Sequence, residues 1–315
     1  MKINACVVYL TCLKHLPLFL RSVILLHKNW KYANSYPILA YHDDLNSMHI
    51  SKINVELFNH LGYVPNIKWI HLTFKMPDHI STDESKYLIK FNAVWMGYRH
   101  MCNFQAYGIY ETELKDYEYY LRLDSDSYIL SPIDYDLFAY MKENDLSYCY
   151  MRDEEIEVNE VAVDLWETTQ DFIEKNDVDI SHISPHLVNG KWGYNMFYNN
   201  FELSRVDTFR NPKYKAYYNH INSTGKIYYN RWGDAPIHWF GVRLFTPNDK
   251  VKAITDIAYQ HNMWIKNLSC VPRNGNEPAT KPLIDKYVDP GRLDRFNYAW
   301  NRYISTGNDG VNWGD

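Results

Sequence analysis

The feature that most constrains this chain is the alternation of short β-branched runs with stretches of helical spacing in its first 130 residues. Ile3 to Leu10 reads as a strand, Leu16 to Trp30 carries apolar residues at helical spacing, and Tyr36 to Tyr41 reads as a second strand. Ile67 to Leu72 follows as a strand, Ser85 to Met101 as a helix and Tyr117 to Leu123 as a further strand. Strands separated by helices are joined by crossovers rather than hairpins. The expected class is therefore α/β, with a mostly parallel central sheet flanked by helices. In such sheets ligands lie beyond the carboxyl ends of the strands.

The run ending at Leu123 opens into Asp124-Ser-Asp126. Two carboxylates at a strand end are hard oxygen donors of the kind that hold Mg or Mn, and these ions bridge diphosphates. Acidic residues after a strand also make ordinary turns and helix caps, so the step gains meaning only from its company. His238, in the turn-like string Arg231-Trp-Gly-Asp-Ala-Pro-Ile-His238, could supply one further ligand. Asp43 follows the second strand, where an acidic residue binds a nucleoside ribose or caps the next segment.

Composition narrows the partners. The chain has 315 residues, 46% of them hydrophobic and 23% charged, which is a globular balance with room for a large core. A net charge of −5 without a long basic run argues against nucleic acid. The 28 Tyr and 10 Trp are a large aromatic complement. Aromatic faces stack on sugar rings, and a base-composition bias would enrich Tyr equally well. Five cysteines with no Cys-x-x-Cys pattern point to a reducing compartment and give no zinc spacing. The apolar stretch Leu16 to Leu26 is too short to span a bilayer and is broken by Arg21, and no small-residue cleavage site follows it. The expectation is a soluble or cytoplasmic chain with no signal peptide, no membrane anchor and no transmembrane segment.

The second half mixes classes. Val161 to Lys175 and Asn211 to Asn222 are expected helices, and Tyr194 to Leu203 is an expected strand. After Val271 the chain is rich in Pro, Gly and Asn until the periodic stretch Leu293 to Ile304.

Several blocks together resemble one family, the fungal α-1,2-mannosyltransferases of glycosyltransferase family 15. They are Tyr36-Pro-Ile-Leu-Ala-Tyr-His-Asp43, Tyr98-Arg-His-Met-Cys-Asn-Phe104 and Asp116-Tyr-Glu-Tyr-Tyr-Leu-Arg-Leu-Asp-Ser-Asp126. Ile133-Asp-Tyr-Asp-Leu-Phe138, Leu165-Trp166 with Phe172-Ile173, Asn200-Phe-Glu202 and Tyr228-Tyr-Asn-Arg-Trp-Gly-Asp-Ala-Pro-Ile-His238 follow in the family's order. The resemblance covers residues 5 to 265.

It implies a GT-A type fold with a nucleotide-binding sheet and a mixed acceptor-binding half. It further implies Mn2+ (or Mg2+) as the ion, GDP-mannose as the nucleotide-sugar donor, a glycan acceptor, and transfer with retention of configuration. By position, Asp124 stands where the family has a Glu before Pro and would hold the ion. Asp126 stands at the family's Asp, His238 at its metal-ligating His, Glu202 at the carboxylate facing the anomeric carbon, and Tyr98 at a Tyr lining the reacting centre.

Two departures stand out. Asp-Ser-Asp shortens one ligand arm relative to Glu-Pro-Asp, and Cys12 lies near a family Arg, which opens the donor to another nucleotide-sugar. The chain is expected to lack the family's anchor and stem, although the resembled family is Golgi-lumenal.

Each role has a structural counterpart. Glu202 would act as nucleophile or as stabiliser of an oxocarbenium-like charge, or would hold Arg205. Arg99 would grip a phosphate or pair with an acidic core neighbour, and Arg122 within the strand is expected to pair with a buried carboxylate. Arg231 and Asp234 would bind substrate or shape the metal loop, with Trp232 as packing. The expected division is one GT-A like domain over 1–270, with a nucleotide-binding half (1–130) and an acceptor half (131–270). Residues 271–315 are expected to pack on it as an extension. The function expected is a retaining mannosyltransferase, the alternatives being another donor or a non-catalytic sugar-binding module.

Overall fold

The computed structural model describes residues 3–88, 96–151, 154–261, 264–266, 273–274, 277–278 and 300–301. Two compact units share the chain, each assembled from three separated stretches rather than from one half of the sequence. The first comprises Ala5–Thr73, Leu121–Tyr140 and the chain from Ile254 onward, and the second Met1–Asn4, Phe74–Tyr120 and Met141–Ala253.

The first unit is the α/β part. Strand β1 (Ala5–Leu10), helix α1 (Leu16–Asn29), strand β2 (Ile38–His42), helix α2 (Ser47–Leu61) and strand β3 (Ile67–His71) form two successive crossovers. The strands are parallel, with Tyr9 opposite Ala40 and Ala40 opposite Trp69. β1 and β2 are buried almost throughout because helices cover such strands on their faces, which is why they read as continuous apolar runs. α2 buries only His49, Ile53 and Leu57 and leaves Val55 and Phe58 exposed. Its ends are nonetheless well marked. Asn46 Oδ1 accepts from the His49 amide at 3.0 Å, and Gly62 stops the helix at φ +80°.

The strand expected before the acidic step is β4 (Tyr119–Leu123), all five residues buried. The chain turns at once into β5 (Ser127–Ile129), which pairs antiparallel with Tyr259–His261. The extension after residue 270 lies largely outside the described residues. Trp300 is fully buried in the first unit, its indole N–H donating to the Leu13 carbonyl and its ring set against His49.

The second unit is mixed. The long strand expected over Tyr194 to Leu203 is two pieces with different partners: Asn195–Met196 pairs with Glu155–Ile156, and Phe201–Arg205 pairs with Tyr148–Met151. The helix expected over Ser85 to Met101 is Met96–Ala106, its expected middle lying outside the described residues. The other two expected helices are Leu165–Lys175 and Pro212–Ser223.

The main departure is the Gly-Asp-Ala-Pro-Ile-His string. It is not a turn but the start of a helix, Asp234–Phe245. Pro236 sits in the first turn, where a missing N–H costs nothing. Every residue from Pro236 to Leu244 is buried, so the sequence shows no one-sided periodicity. Among the described residues no helix is long and apolar enough to cross a membrane.

Two outcomes test this packing. A Cβ on Gly241 would lie 2.2 Å from the Tyr214 ring, which is itself tied through its hydroxyl to the Ala106 carbonyl at 2.7 Å. Gly241→Ala should therefore destabilise the protein by about 1–3 kcal/mol, read as a lower urea midpoint. In α1, burial pushes the His27 imidazole down to about 4, and its Nε2 is buried without a partner. Below the ordinary value of 6.5 the unfolded chain takes up this proton while the folded one does not, so stability falls with pH until about 4. His27→Phe should remove up to about 3 kcal/mol of the acid-induced loss seen between pH 7 and 4 in matched denaturation curves.

Candidate active site

In the first unit the acidic step forms a tight, well-anchored turn. The Ser127 amide donates to the Asp124 carbonyl at 3.0 Å, the Asp124 amide to Ser127 Oγ at 3.2 Å, and Ser125 Oγ to the Leu10 carbonyl at 3.3 Å. Behind it runs a buried relay: Tyr9 to Ser22 at 2.9 Å, Ser22 to the Ser127 carbonyl, and Ser127 Oγ to the Tyr259 hydroxyl at 2.6 Å. The two carboxylates are thus presented at the carboxyl end of β4, half-buried. Arg122 is buried and paired, with Asp124 Oδ1 at 3.3 Å, but its partner is a half-buried carboxylate rather than the buried one expected.

The nitrogen donor beside these carboxylates is His261. Strand pairing sets His261 opposite Ser127, and its Nε2 lies 3.2 Å from Asp126 Oδ1 and 3.9 Å from Asp124 Oδ2. Burial works against the charge on Asp126, but the His261 contact outweighs it and holds the carboxyl below its ordinary range. Burial likewise opposes a charged His261, and the two carboxylates override it and raise the imidazole. The donor set of two carboxylates and an imidazole fits a hard divalent ion such as Mn or Mg. Among the described residues no three such side chains form a ready-made cage. Sequence reasoning passed over His261 because Tyr259-Gln-His261 is a three-residue strand whose meaning comes from its partner β5.

At the carboxyl end of β2, Asp43 is exposed and Asp44 Oδ1 caps the turn after β1, accepting from the Leu13 amide at 2.8 Å. Cys12 lies in that same turn, its thiol pushed up by burial.

His238 is corrected by the structure. Its ring is fully buried in the second unit and stacked on Phe209 at 4.1 Å. Nε2 lies 3.1 Å from the Gln105 carbonyl and Nδ1 2.7 Å from Glu202 Oε2. A carbonyl only accepts, so Nε2 carries a proton, and neither nitrogen is available to a metal.

Glu202 is equally enclosed. Tyr120 donates to Oε1 at 2.5 Å and Tyr148 to Oε2 at 2.9 Å, so with His238 the carboxylate is held from three sides at no exposure. It does not hold Arg205, which pairs with Asp145 at 2.7 Å. In this conformation Glu202 positions the surrounding elements and faces no solvent. Arg99 is also corrected. It is buried and donates to the carbonyls of Tyr228 and Leu88, so its guanidinium braces backbone rather than gripping a phosphate.

Tyr98, Arg231 and Asp234 do come together. The Arg231 guanidinium lies 4.3 Å from the centre of the Tyr98 ring, which is 37% exposed. Arg231 holds a left-handed φ of +64°, a strained setting for a long side chain. Asp234 opens its helix and accepts from Asn199 at 2.8 Å rather than serving His238. Trp232 is buried packing, its N–H on the Val163 carbonyl. Glu157 joins this group: a Cβ on Gly233 would lie 3.2 Å from its Oε2. Burial raises the Glu157 carboxyl, with Arg231 opposing and Asp234 reinforcing the rise. Nothing in the sequence marks Glu157, which sits in an irregular segment and gains meaning from the Gly233 approach.

The family profile described as glycolipid 2-alpha-mannosyltransferase matches residues 1–274. The chain belongs to that family. It is 36% identical to a glycolipid 2-alpha-mannosyltransferase of Saccharomyces cerevisiae over 174 residues, covering 52% of this chain and 38% of the relative. It is 36% identical to glycolipid 2-alpha-mannosyltransferase 1 of Candida albicans over 223 residues, covering 66% and 47%. The match thus spans less than half the length of these relatives. Core-mannan synthase A of Aspergillus fumigatus, solved in its Mn/GDP form, superposes with a TM-score of 0.75 at 23% identity, over 90% of this chain and 85% of the other. The fold is accordingly of the GT-A type, as the sequence implied.

The buried cluster yields a stability outcome. Glu202→Ala leaves two tyrosine hydroxyls and His238 without their acceptor and should cost about 3–5 kcal/mol in chemical denaturation. Tyr148→Phe, which removes one donor, should cost only about 1 kcal/mol.

Proposed function

We propose that this chain is a metal-dependent retaining glycosyltransferase that moves mannose from GDP-mannose to a hydroxyl of a glycan. The observation that carries the reading is the convergence of Asp124, Asp126 and His261 at the carboxyl end of β4 in a chain of this family. The Mn/GDP form of the Aspergillus synthase supports both the ion and the nucleotide. Asp124, Asp126 and His261 would hold the ion, which when bound supplies Lewis-acid stabilisation of the charge building on the leaving diphosphate. Arg122 aims Asp124 by pairing with its Oδ1 at 3.3 Å. Asp43, at the end of β2, is the residue for the ribose hydroxyls. His261 replaces His238 in this assignment, because its Nε2 lies beside the carboxylates while both nitrogens of His238 are engaged elsewhere.

The second unit supplies the group that meets a sugar. Tyr98 offers a partly exposed aromatic side chain, Arg231 a cation above it, and Asp234 and Glu157 carboxylates that accept sugar hydroxyls. Glu202 acts through others by fixing the helix that begins with Asp234.

Thermal-shift measurements with nucleotides, with and without Mn, test this. GDP and GDP-mannose should raise the melting temperature only in the presence of Mn, and Asp124→Ala should abolish the shift. His261→Ala should weaken Mn-dependent GDP binding by more than about ten-fold, at least what an outer-shell partner of a metal is worth. A metal-dependent shift with UDP-sugars instead would overturn the mannose assignment. No shift with any nucleotide would leave a sugar-binding module as the reading.

A further inference from the structure

A cavity of about 540 Å3 opens in the second unit and is walled by Trp166, Trp192 and Tyr194 together with Glu160, Asp164 and Glu167. Its size falls within the range of pockets that hold small ligands, about 300–1,000 Å3. The aromatic walls are fixed in place. Trp166 stacks on Phe240 at 5.8 Å and 14°, and Trp192 lies 4.8 Å from the same ring with its N–H on the Asn195 carbonyl at 2.9 Å. Phe240 itself is fully buried in the helix Asp234–Phe245, so both indoles rest on a core ring.

Two lining residues hold backbone conformations that side chains rarely adopt: Asp164 at φ +64° and Tyr194 at φ +65°. For a residue as bulky as Tyr such a φ is an outlier of the kind that clusters at binding sites. It leaves the ring 38% exposed at the cavity.

The cavity backs onto the group that contains Tyr98 and Arg231. The Tyr194 carbonyl accepts from the Glu157 amide at 2.8 Å, while Glu157 packs against Gly233. On the other side Trp232 donates to the carbonyl of Val163, which also lines the cavity. One loop, residues 231–233, therefore separates the two.

Asp164 is paired with Lys226 at 2.9 Å, which leaves Glu160 and Glu167 against Lys191, a lining with no cationic surplus to hold a diphosphate or a nucleic acid. Carboxylate acceptors beside indole and phenol faces suit a neutral polyhydroxylated ligand: the rings take the apolar face of a pyranose and the acids its hydroxyls. We propose that this cavity is a subsite for the inner sugars of a neutral oligosaccharide acceptor, beyond the residue that receives the transferred sugar. The assignment of its occupant as an acceptor rests on the transferase reading above.

The test combines binding with turnover. Saturation-transfer NMR with α-mannotriose and methyl α-mannoside, without donor or metal, reads the subsite directly. The wild type should bind the trisaccharide, and Tyr194→Gly should weaken it about five-fold or more, the worth of one aromatic contact. Glycine relieves the left-handed backbone but gives up the ring contact with Trp192 at 5.0 Å, so this variant should melt within a few degrees of the wild type. Trp166→Phe should retain most of the binding.

In transfer assays KM should fall with acceptor length in the wild type and lose that dependence in Tyr194→Gly, with methyl α-mannoside kinetics unchanged. Trisaccharide binding that is absent, equal in Tyr194→Gly, or abolished by 0.5 M salt overturns the proposal, the last because it marks an ionic ligand. Absence of transfer to every acceptor, with NMR binding intact, overturns the transferase reading and leaves the subsite standing.

Discussion

The second unit is organised by one buried anion. Glu202 lies in the strand Phe201–Arg205 with no exposure, and a carboxylate there is tolerable only if its oxygens are bonded. Its three partners come from β4, from the strand Tyr148–Met151 and from the helix Asp234–Phe245, so one side chain fixes the mutual register of four elements. His238 passes the constraint on to the helix Met96–Ala106 through the Gln105 carbonyl. Phe209, Tyr110 and Tyr214 pack round the imidazole and keep water from competing for these bonds. The start of the helix that carries Asp234, and hence the loop holding Arg231, is placed by this network.

The first unit reaches its chemistry by a different route. Its carboxylates are not buried anchors but the ends of a turn, and their position follows from neutral hydroxyl relays behind it. Because Tyr259 ties β5's partner strand to Ser127, the imidazole of His261 is delivered to the same place as Asp126. These two carboxylates stay half-buried at the edge of the unit, and the buried Arg122 is neutralised by Asp124.

Much of this was legible in the sequence, and what was not failed for identifiable reasons. β1, α1, β2 and β4 were expected within a few residues, because buried strands are continuous apolar runs and α1 carries apolar residues at helical spacing, whereas β3, with no residue fully buried, showed only as a short run after Pro65. Asp124 and Asp126 were visible as a strand end, and Arg122 as a charge needing a partner. His238 misled because a helix buried on all sides has no period, while Gly-Asp-Ala-Pro has turn composition. Arg99 misled because a buried guanidinium is satisfied by carbonyls, which carry no residue-type signal. His261 and Glu157 were invisible because their neighbours are more than a hundred residues away for the first and, for the second, a glycine whose only mark is its missing side chain.

The contact of Gly241 with Tyr214 bears on how this sequence can drift. The two helices meet so closely that a single methyl group has no room, and the ring that excludes it is fastened to Ala106. A larger residue at 241 is therefore costly while Tyr214 keeps its place, and a smaller 214 opens a void beside His238 while 241 is still glycine. Neither step is neutral alone. Positions 214 and 241 form one heritable unit, and homologues that differ at one should differ at the other in the opposite direction of volume.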